Sequence, residues 1–167
     1  MALTGLPSGS SGESFLDRIQ YDAKAGRWHA VSRKQDASGA WISDMIPMND
    51  GDAFAMDMEN IEVGWIAFAS TGPDFKMVPN GQSVGPRPSD QHKAGFRVKV
   101  LLRGETAPRH FASTAKAVTG VIDDLHTQAM AKPGVPVVRI KGTRLVETKG
   151  PQGTTRNYAP LLEIVQH

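Results

Sequence analysis

Three cations sit at alternating positions in a ten-residue stretch, GFRVKVLLRG at 95–104. Arg97, Lys99 and Arg103 fall on one side of a strand, with Leu101 between the last two, while Phe96, Val98, Val100 and Leu102 fall on the other. A half-buried strand explains the apolar set. The cationic row has the chemistry of phosphate neutralisation. The chain around it agrees in sign: residues 76–167 hold fourteen Lys/Arg against six Asp/Glu, a net of +8. Residues 35–75 hold eight acids and no base, a net of −8, so the overall +2 conceals two opposed segments. Such asymmetry points to an anionic partner, nucleic acid before acidic lipid, with a merely solvated basic face as the alternative.

Binding a single strand needs flat rings as well as cations, because exposed bases stack on them for roughly 1–3 kcal/mol each. Phe75 lies in a Pro/Gly-rich stretch between Asp74 and Lys76, and Tyr158 lies two residues after Arg156. Both are candidate platforms. Trp65 is a third, although it and Phe96 sit in apolar strands and read more readily as core.

Other chemistries lack their residues. With no cysteine, thiolate metal sites, disulfides and cysteine nucleophiles are excluded. His29, His92, His110, His126 and His167 are scattered without the paired spacing of zinc ligands. NDGD at 49–52 lacks the rest of a calcium loop and reads as a tight turn. Neither a phosphate-binding G-x-x-x-x-G-K-[ST] nor a G-x-S-x-G elbow occurs. Ser113 near His110 has no orienting carboxylate, and Asp123 and Asp124 diverge by about 100° on a helix. The expectation is a protein that is not an enzyme and needs no cofactor or metal.

Elements must position these groups. Residues 1–14 are Gly/Ser-rich and predict a disordered arm, leaving 15–167 as one domain. AKAG at 23–26 predicts a turn into a strand over about 27–33, and QDASGAWISDMIPMNDGD at 35–52 reads as turn-rich. NIEVGWIAFAS, 60–70, predicts a central strand with Gly64 as a possible bulge. Residues 71–94, with four prolines and three glycines, read as a long functional loop. RHFA is a short strand. A helix follows from Ser113 or Thr114 as N-cap, with Val118, Val121, Ile122, Leu125 and Met130 as its stripe, ending at KPG, 132–134. VPVVRIKGTRLVE predicts a strand kinked at Gly142, KGPQGTTRN a Gly-rich loop, and YAPLLEIVQ a last strand. From residue 60 onward this gives an all-β, OB-fold-like five-stranded Greek-key barrel, with one helix between strands three and four and an N-terminal extension.

The phrases IQYDAKAGRW, IEVGWIAF with PDFKMVPNG, HKAGFRVKVLL with RHFAST, and YAPLLEIVQ resemble bacteriophage single-stranded DNA-binding proteins of OB-fold type. The resemblance runs over about residues 15–167 and implies a non-catalytic protein that coats single-stranded DNA in replication or recombination. It also implies a bacterial host cytoplasm and replication or recombination proteins as partners. Many members of that group end in an acidic tail, whereas the sequence here ends at EIVQH, so either such a tail lies outside it or is absent, or another surface such as the anion-rich 35–75 takes its place.

The binding set expected on a barrel is Phe75, Lys76, Lys93, Arg97, Lys99, Arg103, Arg109, Arg139, Lys141, Lys149, Arg156 and Tyr158. A homo-oligomer is expected, and no membrane partner, since no apolar run nears the roughly 18 residues of a span. The rivals are a phage assembly protein whose opposed charges pair between subunits, and a module that cradles a small anion in KGPQGTTR.

Overall fold

Turn chemistry sets out the first half of the chain. In the computed structural model, which describes residues 17–69 and 72–166, β1 (Arg18–Asp22) and β2 (Arg27–Gln35) are joined by the AKAG turn. There the Asp22 carboxylate accepts the Lys24 N–H at 2.9 Å and Gly26 adopts φ 67°. Asp36 does the same for the next turn, accepting from the N–H groups of Ser38 and Ala40, and leads into β3 (Trp41–Met48). β4 (Ala53–Met56) and β5 (Glu62–Ala69) are separated by one turn of 3₁₀ helix, Met58–Asn60. Then come β6 (Gly72–Pro79), β7 (Lys93–Leu102), β8 (Arg109–Ser113), α1 (Lys116–Met130), β9 (Val137–Gly150) and β10 (Gly153–Gln166). The expected arm, 1–14, lies outside the described residues.

All ten strands join one sheet in the order β10-β9-β4-β7-β8-β1-β2-β3, with β5 alongside β7 and β6 beyond β5. Every pairing is antiparallel except β1 with β8, where Arg18 and Ile19 run parallel to His110 and Phe111. The sheet is mixed and open. Where β10 meets the β1–β2 turn there is no ladder. The Tyr158 N–H donates to the Ala23 carbonyl at 2.7 Å, and the Tyr21 hydroxyl donates to the Tyr158 carbonyl at 2.5 Å. Burial, together with the neighbouring Asp22, pushes the Tyr21 phenol up to about 12.

The five-stranded Greek-key barrel is therefore corrected. Its strands exist, as β5, β7, β8, β9 and β10, and its helix lies between β8 and β9. What the order of elements missed is that the residues before 60 are not an extension. Ile19, Trp28, Phe54 and Met56 are buried in the same core as Phe96, Val98, Val100, Phe111, Val138 and Ile140. The expected loop 71–94 holds a whole strand, β6, and the turn-rich 35–52 holds β3. An OB-fold and a β-barrel are both excluded by an unclosed ten-stranded mixed sheet.

The apolar row of β7 is the core row, with Phe96, Val98 and Val100 buried, and each such side chain contributes roughly 1.5–3 kcal/mol by leaving water, while Arg97 on the other face is buried as well. On α1 the buried stripe is Val118, Ile122, Leu125 and Ala129, whereas Met130 is exposed. The helix begins later than expected, with Ala115 in the capping position and the Ser113 hydroxyl accepting the Ala115 N–H at 3.1 Å. Gly64 makes no bulge, since the β5–β6 and β5–β7 registers run through it unbroken. It is glycine because a methyl there would overlap the Lys76 carbonyl. The kink at Gly142 is present, as a register shift between Ile140 and Gly142 with φ 148°. No helix among the described residues is long and apolar enough to cross a membrane.

Candidate nucleic-acid interface

Residues directly opposite in an antiparallel ladder share a face, so register decides which cations can act together. Phe96, Val98 and Val100 define the core side, which puts Lys93, Arg97 and Lys99 on the side turned away from it. Arg97 stands opposite Glu62 on β5, and Lys99 opposite His110 on β8, whose parallel neighbour on β1 is Arg18. Arg139 is opposite Ala53 on β4 and Glu163 on β10, between the buried Val138 and Ile140, so it too faces outward. Lys141, in the bulge, reaches the same Glu163 at 3.4 Å. Phe75 is opposite Ile66, which is two residues from Gly64 and its partner Gly95, and this brings the ring onto the Arg97 face. Arg103 follows β7 directly into an exposed turn.

Within this face the cations are not equivalent. Arg97 is buried. Its Nε donates to Glu62 Oε1 at 2.9 Å and its Nη2 to Oε2 at 3.2 Å, while its Cζ lies 4.8 Å from the centroid of the Phe75 ring. Charge neutralisation by a bidentate carboxylate leaves this guanidinium as the brace of the ring. Arg139 forms an ion pair with Glu163. Lys93, Lys99 and Arg103 are outside salt-bridge distance of any carboxylate among the described residues and keep their charge open to solvent or ligand (Arg103 and Lys99 are both exposed).

Other expected members lie elsewhere. Arg109 is opposite Val100, on the core side, and is buried; it donates to Glu105 through Nε and Nη2 at 2.8 Å each, and through Nη1 to the Arg18 and Val31 carbonyls. The hydrogen bonds from Arg109 hold the Glu105 carboxyl below its ordinary value, and Glu105 in turn raises the guanidinium. Lys76 is opposite Trp65, on the reverse side of the β5–β6 hairpin from Phe75. Lys149, Arg156 and Tyr158 are not on a loop at all. They belong to a two-stranded ribbon, because β9 beyond Gly142 pairs with β10 alone, through Leu145–Tyr158, Glu147–Arg156 and Lys149–Thr154. These three residues share one ribbon face, and the bulge at Lys141 turns that face away from the side holding Arg139 and Arg144.

Sequence reasoning missed the residues that hold the site. Glu62 carried no signal apart from its acidity. Nor did the clip on the strap 80–92, where Ser89 Oγ and His92 Nδ1 are 2.7 Å apart and His92 Nε2 and Asp74 Oδ2 2.7 Å apart. That His92 contact, with Lys76 adding to it, keeps the Asp74 carboxyl below its usual range. Trp65 Nε1 donates to the Gly85 carbonyl at 2.7 Å, and strap and hairpin border an open pocket of about 470 Å³ lined by Trp65, Phe75, Lys76, Pro86 and Pro88 among others.

Comparison with protein families, with curated proteins and with solved structures finds no match to the chain. The resemblance to phage single-stranded DNA-binding proteins of OB-fold type is corrected accordingly: no family match carries it and the open sheet lacks the fold it implies.

Proposed function

We propose that this protein binds single-stranded nucleic acid with little regard to sequence and without catalysing a reaction. The observation that carries this reading is the register that puts Lys93, Arg97, Lys99 and Arg139 on the outward side of one sheet together with Phe75, with Lys141 in the bulge reaching Glu163 beside Arg139. Lys93, Lys99 and Arg103 supply phosphate contacts, Arg139 and Lys141 exchange Glu163 for phosphate, and Phe75, braced by Arg97, offers its ring to a base. Lys149 and Arg156, exposed on the ribbon, form a second contact region, whereas Tyr158 on the same face is half-buried against the turn at Gly26.

Fluorescence polarisation with oligo(dT), and with a duplex of the same length, across a salt series tests it. Affinity for the single strand is expected to fall by about 0.7 log units per log unit of salt for each phosphate contacted. Replacing Lys93 and Lys99 together by Glu is expected to weaken binding and reduce that slope, and Lys149→Ala with Arg156→Ala to do so for the ribbon. Affinity independent of salt, or equal for the charge-reversed protein, overturns the proposal.

A further inference from the structure

The far end of the sheet presents a different surface. Among the described residues β3 is a terminal strand, flanked by β2 alone, and Trp41, Ile42, Met45 and Ile46 are 42–56% exposed on its two faces. Its lone charge, Asp44, pairs with Lys34 of β2 at 3.3 Å. Native sheets blunt such edges with charges, prolines or covering elements. On β3 these devices are Pro47, near the end of the strand, and the paired Asp44.

Backbone geometry shows which groups the edge offers. The Asp36 N–H donates to the Ala40 carbonyl at 2.9 Å, which fixes that pair as hydrogen-bonded. The unbroken β2–β3 register then makes Lys34–Ile42 and Ser32–Asp44 the next hydrogen-bonded pairs. The odd residues of β2 face the other way, as the Arg33 N–H donating to Asp17 and the Val31 carbonyl accepting from Arg109 show. On β3, by the same alternation, Trp41, Ser43 and Met45 turn their N–H and C=O groups to the free edge.

We infer that β3 is the interface of a two-fold dimer, pairing antiparallel with β3 of a second copy about Ser43. In this register Ser43 meets Ser43 of the second copy, and Trp41 meets Met45 in both directions, a sulfur–aromatic contact. Asp44 faces Ile42 of the second copy, which separates the two carboxylates. Centring instead on Asp44 sets like charges directly opposite, and centring on Met45 places Pro47, which has no N–H, in a bonded position. The occupant is a second copy because the edge complements itself in hydrogen bonding and apolar surface, while its nearby charges are engaged within the chain, Lys34 with Asp44 and the Arg33 guanidinium over the Trp41 ring at 5.2 Å. Strand pairing keeps faces aligned, so the outward face of one copy continues into the next. The dimer does not depend on what that face binds.

The chain has no cysteine, which makes the register directly testable. Hydrogen-bonded antiparallel partners have Cα atoms about 5.5 Å apart, within disulfide range. Oxidation of Ser43→Cys is expected to give a covalent dimer, whereas Ile46→Cys, equally exposed but facing Ala40 of the second copy, stays unlinked. Light scattering on the wild-type chain is expected to show mass rising from monomer to dimer with concentration at low and high salt, and Met45→Lys is expected to stay monomeric. A wild-type monomer at every concentration, a Met45→Lys protein that assembles like wild type, or Ile46→Cys linking as readily as Ser43→Cys overturns the inference.

Discussion

Arg97 shows how a residue of the right type can be diverted. Its guanidinium is almost wholly buried and held by Glu62, so truncation leaves a partly buried carboxylate and an unsupported ring. Arg97→Ala is expected to lower stability by about 2–3 kcal/mol, less than for a fully buried pair because Glu62 is one-third exposed, as read from urea denaturation. Glu105 sets an acid limit. Its carboxyl sits below the ordinary 4.5 because Arg109 hydrogen-bonds the ionised form, so the unfolded chain binds the proton first as pH falls. The contribution is complete above 4.5 and is lost as pH drops from there through the folded value. Urea midpoints measured down a pH series are expected to decline over that window, and Glu105→Gln to flatten the decline. The sequence showed both arginines as cations but could not show that Glu62, thirty-five positions from Arg97, lies directly across a ladder from it.

Among the elements, strands with clean alternation were legible and strands interrupted by turn residues were not. β7 and β8 alternate or are short and apolar, and they fold as read. β6 was hidden because Gly72, Pro73 and Pro79 bracket it, although Phe75 and Met77 alternate with Lys76 and Val78 inside it. The ribbon was hidden because Gly150 and Gly153 suggest a loop, whereas here they flank the two residues of a hairpin turn, with Gly153 at φ 113°. Gly64 gave its signal, and the reason for it was misread. The need is for close approach to β6, so Gly64→Ala is expected to cost about 2–3 kcal/mol of stability, while Gly39→Ala, at an open turn with positive φ, costs closer to 1. Thermal melts of the two variants check the ordering.

At the scale of the molecule, one core cluster contains residues from β1, β2, β4, β7, β8, α1 and β9. Trp28 touches Tyr21, Phe54 and Phe111, with ring centroids at 4.8, 6.0 and 5.2 Å. Such shared packing predicts a single cooperative transition, with tryptophan fluorescence and far-UV circular dichroism coinciding in urea. Separate transitions would show that the first three strands unfold independently. The sequence supplied the segment charges but not where they meet, which is at Glu62 of the acidic segment and Arg97 of the basic face.

The parallel pairing of β1 with β8 has a consequence for synthesis. A strand made first finds its neighbour about ninety residues later, at His110 and Phe111. On the ribosome, Arg18–Asp22 can form its hairpin with Arg27–Gln35 early, but that hairpin has no docking edge until Arg109–Ser113 leaves the exit tunnel. The nascent chain is thus expected to carry Ile19 and Trp28 unburied until Arg109–Ser113 has emerged, and native assembly of this core waits for that strand.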